Sequence, residues 1–269
     1  MRKTILVTGS TDGIGLETAK LLASNGHNVL LHGRNQAKLA DAQQVVSLVA
    51  DTGQIETYVA DLSRLDEVEA LANAVAEKHS TLDVLINNAG VFRTPQPITE
   101  EGLDVRFVVN SIAPYLLTQR LLPLLGSSGR VVNLSSAAQS PVNIEALAGR
   151  LNLADDFAAY AQSKLALTMW SRHMAHAQSG KGPAIIAVNP GSMLGSKMVK
   201  EGFGVTGNDL GIGAEILARA ALSEEFSAAS GLYFDNDSNQ FTAPHLDALD
   251  VQKTERVVRT IEALLAEFN

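Results

Sequence analysis

Short, almost unbroken apolar runs separated by longer amphipathic stretches are the strongest constraint on how this chain can fold. Runs of strand length stand at 4–8, 28–32, 55–59, 83–87, 130–134, 184–189 and 231–234. Ile5-Leu6-Val7, Val29-Leu30-Leu31 and Val84-Leu85-Ile86 are apolar throughout, as strands covered on both faces are. Between them Leu16, Ala19, Leu22 and Ala23 form one helical stripe and Leu65, Val68, Leu71, Ala72 and Val75 another. The second stripe has Ser63 as its expected cap and ends near His79. Alternation of this kind predicts a doubly wound α/β fold. Its parallel sheet has about seven strands, right-handed crossovers and helices on both faces, in three αβα layers.

No repeat, low-complexity tract or linker divides the 269 residues, which read as a single domain. Two stretches break the rhythm, 137–156 and 192–212. The second carries Met193, Met198, Val199, Phe203 and Val205 and follows the carboxyl end of a strand. Ligands bind at that edge of open α/β sheets, so this stretch is read as a substrate lid.

Composition narrows the partners. The net charge is −8 with no long basic run, which argues against nucleic acid or an anionic membrane surface. There is no cysteine, which excludes disulfides, thiolate metal sites and cysteine nucleophiles. No apolar stretch has secretory or bilayer-spanning length, so a cytoplasmic location and no membrane insertion are expected. His173 and His176 lie three apart on a helical segment with no third ligand in view, so no metal is expected.

The first strand runs into Thr8-Gly9-Ser10-Thr11-Asp12-Gly13-Ile14-Gly15. A glycine-rich turn between a strand and a helix lets backbone N–H groups approach a pyrophosphate, and the helix start favours its charge. The spacing is GxxxGxG, and no P-loop Lys-Ser/Thr follows. The second strand ends at His32-Gly33-Arg34-Asn35. An acid here favours NAD by bonding the ribose hydroxyl, and an arginine accommodates the extra phosphate of NADP. Arg34 with no acid predicts NADP(H) over NAD(H). A charge-assisted bond of roughly 1.5–3 kcal/mol corresponds to about one to two decades of preference. Ser10 and Thr11 are candidates for hydroxyl contacts to the same phosphate.

Tyr160-Ala161-Gln162-Ser163-Lys164 opens a helical run, and residues four apart share a face. A tyrosine with its ordinary pKa near 10 is a poor base at neutral pH. An ammonium about 4 Å away, at an effective dielectric near 20, is worth up to about 4 kcal/mol to the phenolate, or roughly three pKa units. That brings the phenol into range for general acid–base work.

With these motifs the chain resembles the short-chain dehydrogenase/reductase family over nearly its whole length. In the same order stand Asn87-Asn88-Ala89-Gly90, Asn110 in Val109-Asn110-Ser111, Val131 to Ser136, and Asn189-Pro190-Gly191. The resemblance implies a Rossmann-type fold and an oxidoreductase moving a hydride between NADP(H) and a carbonyl or alcohol substrate. It implies Tyr160 as general acid/base and Lys164 as the group that lowers its pKa and holds the nicotinamide ribose. Ser136 would bond the substrate oxygen, with Ser135 the alternative if the strand faces the other way, and Asn110 would hold a water relaying protons to Lys164. Cofactor contacts are implied for Gly9, Ser10, Thr11, Gly13, Ile14, Gly15, Arg34, Asn35, Asp61, Leu62, Asn88, Ala89, Gly90, Pro190 and Gly191. The family places a threonine after its proline–glycine pair to bind the carboxamide. Here Gly195 stands at that place and Ser196 follows as its substitute. The long gap from Ser136 to Tyr160 is similar to that of the branch containing retinol dehydrogenases. The apolar lid residues point to a small-molecule substrate with an apolar body. Relatives often pair through helices near 111–125 and 157–178, so a homo-oligomer is open, and Pro114–Leu125 reads equally as core or interface. The competing classes are a non-catalytic NADP(H) sensor, which would be expected to lose Tyr160 or Lys164, and an epimerase or dehydratase of the longer related branch.

Overall fold

The computed structural model describes residues 1–178 and 180–268, with the side chain of Phe203 outside the described residues. Its sheet contains β1 (Thr4–Val7), β2 (Asn28–Gly33), β3 (Ile55–Val59), β4 (Val84–Asn87), β5 (Arg130–Leu134), β6 (Ala184–Asn189), β7 (Tyr233–Asp235) and β8 (Gln240–Thr242). The strand order is β3-β2-β1-β4-β5-β6-β7-β8, parallel except where β8 returns antiparallel to β7. About seven strands are expected from the apolar runs. The eighth is β8, three residues long and joined to β7 through Asn236-Asp237-Ser238-Asn239, too short to carry a readable alternation.

Strand periodicity divides the core in two. Leu6, Leu30, Leu85, Val131 and Ile185 face one helical layer, formed by α3 (Leu65–Lys78), α5 (Ala113–Leu121), α7 (Asp156–Ala177) and α11 (Val251–Glu267). Val7, Leu31, Ile86, Val132 and Val188 face the other, formed by α1 (Gly13–Ser24), α2 (Gln36–Val49) and α9 (Leu210–Leu222). Burying each such aliphatic side chain stabilises by about 1.5–3 kcal/mol. The remaining helical segments are α4 (Val105–Phe107), which continues through a π-helical turn (Val108–Ile112) into α5, then α6 (Ile144–Leu147), α8 (Lys197–Phe203) and α10 (Leu246–Leu249).

Two local expectations are corrected or settled. Ser63 does not cap α3: the cap position is Arg64, and the Ser63 N–H and hydroxyl both go to Asp61 Oδ1, at 2.9 and 2.7 Å. Pro114 to Leu117 are core, because α11 of the same chain lies across α7 and Tyr115 donates to Glu262 at 2.8 Å. Trp170 is fully buried there, edge-on to Tyr115.

Candidate active site

The order of strands reverses between β1 and β4, and ligands of open α/β sheets bind in the crevice at such a point. The turn after β1 and the segment after β4 pack tightly here. A Cβ at Gly9, whose φ is +63°, would lie 2.8 Å from Ala89 Cα, and one at Gly15 would lie 2.3 Å from the Gly9 carbonyl oxygen. Asn88 ties them further by donating to the Thr8 and Gly9 carbonyls at 2.9 and 3.0 Å. Gly13 is less confined: a Cβ there would make only an ordinary van der Waals contact with Ser196 Cβ, at 3.7 Å. A Cβ at Gly90 would stand 3.6 Å from Lys164 Nζ. The glycines thus leave a cradle from the start of α1, whose first N–H groups lack internal partners, to Lys164. That cradle fits a dinucleotide. Asp12 caps α1 by accepting the Gly13 N–H at 2.6 Å, which leaves Ile14 and Gly15 as the first-turn donors.

The adenosine side separates into groups that face the cleft and groups that do not. Arg34 stands exposed beyond β2, with no ion-pair partner among the described residues. Thr11 lies over Gly33, where a Cβ would come within 2.5 Å of its methyl. Ser10 is a correction. Its hydroxyl is fully buried, accepting the His32 N–H at 2.9 Å and facing the His32 carbonyl, so it is not turned toward a phosphate. The Asn35 side-chain oxygen caps α2 by accepting the Lys38 N–H at 3.0 Å. Leu62 is buried in the core and Asp61 is held by Ser63.

Helix α7 carries the two residues expected to do the chemistry, Tyr160 and Lys164. Asp155 caps it by accepting the Ala158 N–H, and Asp156 in its first turn ion-pairs with buried Arg106, which Asp104 also grips at 2.7 Å. One turn on, the Tyr160 phenol stands beside the Ser136 side chain. Lys164 Nζ lies 5.7 Å from the Tyr160 ring centre and donates to the Leu134 carbonyl at 2.7 Å. Alternation along β5 decides between the two serines: Ser135 points inward to Thr168 at 2.6 Å, so Ser136 is the one beside Tyr160. Burial pushes the Tyr160 phenol above its ordinary value, and the Ser136 hydrogen bond pulls it back. Burial also pushes the Lys164 ammonium down to about 8.

Asn110 sits in the π turn. Both hydrogens of its amide are spent, on the Val91 carbonyl and Ser163 Oγ at 2.9 Å each, while its oxygen accepts the Val91 N–H at 2.8 Å. Ser163 in turn donates to the Tyr160 carbonyl at 2.7 Å. The side chain therefore braces the Tyr160 helix, and its amide has no donor left for the expected water.

Beyond β6, Pro190 and Gly191 are tied to the β7–β8 turn, where Asn236 donates to the Pro190 carbonyl. The 192–212 stretch forms α8, capped by Ser196 Oγ on the Val199 N–H. Its base is closed by a bridge between Leu194 and Asn208. A Cβ at Gly195 would meet the Thr206 and Asn208 carbonyl oxygens at 2.8 and 3.0 Å, which is why no threonine stands there. Met193 and Val205 are exposed, while Met198 and Val199 are half-buried. Phe92, half of an aromatic pair no motif had flagged, lies edge-on to Tyr160 at 5.4 Å and to Phe157 at 6.4 Å. Sequence offered no signal for it beyond its place two residues after Gly90.

Residues 3–204 match the family model described as short chain dehydrogenase. The chain is 31% identical to mouse retinol dehydrogenase 13 over 93% of its own length and 80% of that protein. It is 37% identical to human polyprenol dehydrogenase over 69% of its length and 59% of that protein. A crystal structure of a Mycobacterium paratuberculosis protein superposes with a TM-score of 0.82 at 27% identity, covering 97% of this chain and 92% of that one. A metagenomic short-chain oxidoreductase solved with NADP aligns with a TM-score of 0.63 at 30% identity, over 81% and 90%. The chain belongs to the short-chain dehydrogenase/reductase family of oxidoreductases. Within it, the chain sides with the retinol dehydrogenase branch. Among the described residues no helix is long and apolar enough to cross a membrane.

Proposed function

We propose that this protein is an NADP(H)-dependent reductase or dehydrogenase acting on a carbonyl or alcohol carried by an apolar body. The observation that carries the reading is the convergence of Ser136 and Tyr160, with Lys164 one helical turn on, at the mouth of the glycine cradle. Bound nicotinamide supplies or accepts the hydride. In the reducing direction Tyr160 gives its phenolic proton to the substrate oxygen, while the Ser136 hydroxyl hydrogen-bonds the same oxygen and orients it. Lys164, one helical turn on, stabilises the phenolate left behind by charge attraction. That attraction works against the burial that raises the phenol.

The glycine turn and the start of α1 would hold the pyrophosphate, and Asn88, Ala89 and Gly90 would support the adenosine side. Pro190, Gly191 and Ser196 would line the nicotinamide end. Arg34, exposed and unpaired, supports NADP(H) over NAD(H), with Thr11 beside it. NADP in a 30%-identical relative supports the same choice. Phe92, Phe157 and the lid residues Met193 and Met198 support the apolar substrate body.

The test is NADPH and NADH consumption with a panel of apolar aldehydes and ketones. NADPH-coupled reduction is expected, and Arg34→Asp should erode the NADPH preference by roughly ten- to hundredfold. Tight NADPH binding with no turnover across the panel would return the sensor reading instead.

A further inference from the structure

The β7–β8 hairpin ends next to the active site, and its contact there has no part in the chemistry described so far. Tyr233 of β7 reaches across the end of β6 and donates its hydroxyl to the Ser136 carbonyl at 3.1 Å. Gln139 Nε2 donates to the same oxygen at 2.9 Å. On the side-chain end of the same residue, Ser136 Oγ accepts the Ala138 N–H at 3.1 Å. An oxygen that already accepts an N–H is biased to turn its own hydrogen toward the cleft.

The clamp is stiff. Tyr233 is buried and paired with Ala187 in the sheet. The next residue, Phe234, sits in a three-ring cluster with Phe226 and Phe241, centroids 5.0–5.1 Å apart, with Arg219 above two of the rings. Catalytic groups must be held close to their productive geometry, and rigid elements do this better than loops. Ser136 is the second residue past β5, one beyond the last ladder-like bond from Ser135 N–H to the Val188 carbonyl, where strand pairing no longer fixes its peptide. The hairpin supplies that missing restraint.

We propose that Tyr233, assisted by Gln139, is a positioning residue for the active site: it fixes the Ser136 peptide so that the Ser136 hydroxyl meets Tyr160 and the substrate oxygen. The inference rests on the reading of Ser136 as a substrate-binding group.

It is tested by a double-mutant cycle of Tyr233→Phe and Ser136→Ala, measured by single-turnover NADPH oxidation with excess enzyme, alongside NADPH Kd and thermal melting. Tyr233→Phe keeps the ring and removes one donor. It should slow turnover roughly three- to tenfold, with NADPH Kd unchanged, and should have no further effect once Ser136 is alanine. A slowing of equal size in both backgrounds would make Tyr233 a packing residue and overturn the inference, as would full activity of Tyr233→Phe alone. Full activity of Ser136→Ala would sink the underlying reading of the serine, which is a separate outcome from either of these.

Discussion

His32 holds the cofactor turn from beneath: its Nδ1 accepts the N–H of Gly9 at 3.1 Å, while Nε2 donates to the Ala60 carbonyl at 3.0 Å. Both bonds require the neutral ring with its proton on Nε2. Burial pushes the imidazole down to about 4. The unfolded chain therefore binds the extra proton first, and folding stability is lost as pH falls from about 6.5 toward 4. The total is on the order of 3 kcal/mol. Urea unfolding across that range should show this component in the parent and not in His32→Gln. Identical acid dependence in the two proteins would disprove the coupling.

Lys164 is a buried cation whose ammonium is pushed from 10.5 down to about 8. Between those values the unfolded chain holds more protons, so stability rises with pH. At pH 7 the charge is a cost that the site tolerates for its chemistry. Lys164→Met is expected to gain on the order of 2 kcal/mol at pH 7, to lose the rise between pH 8 and 10.5, and to lose turnover. Denaturant midpoints across pH check this; a less stable variant would contradict it.

Asp104 and Arg106 form a buried ion pair, 3% and 1% exposed, that ends on Asp156 in the first turn of α7. Removing one partner leaves the other charge buried and unpaired. Asp104→Ala should cost about 3–5 kcal/mol. The double variant Asp104→Leu with Arg106→Met should recover much of that, read by urea unfolding.

Gly195 occupies the family's threonine place because the chain passes against Gly207 there, where a Cβ at Gly207 would meet Gly195 Cα at 2.6 Å. Gly195→Thr, which restores the family residue, should therefore harm the protein. The bridge at the lid base should open and KM for NADPH should rise, by roughly tenfold if about 1.4 kcal/mol of closure is lost. An unchanged KM would show that the lid base has slack.

The sheet and its two helical layers were legible in the apolar runs because parallel strands and their covering helices impose long, regular patterns. Tyr160, Lys164, Ser136 and the glycine turn were legible because their spacing is local to one helix, one strand end and one turn. What sequence hid was the set of contacts between distant elements. Nothing in the run Tyr233-Phe234-Asp235 announces that its phenol reaches Ser136, ninety-seven residues away along the chain. Ser10 looked like a phosphate contact from its place in the turn, and only the pairing with His32 shows the hydroxyl turned inward. Ser63 likewise fits a helix-cap pattern, yet Asp61 two residues earlier competes for it and wins.

The central claim is most directly tested with Tyr160→Phe, by NADPH-coupled carbonyl reduction measured beside NADPH binding. Removing a positioned proton donor should lower turnover by at least about a hundredfold, while NADPH Kd stays within a factor of about two. Turnover within a few fold of the parent would contradict the account.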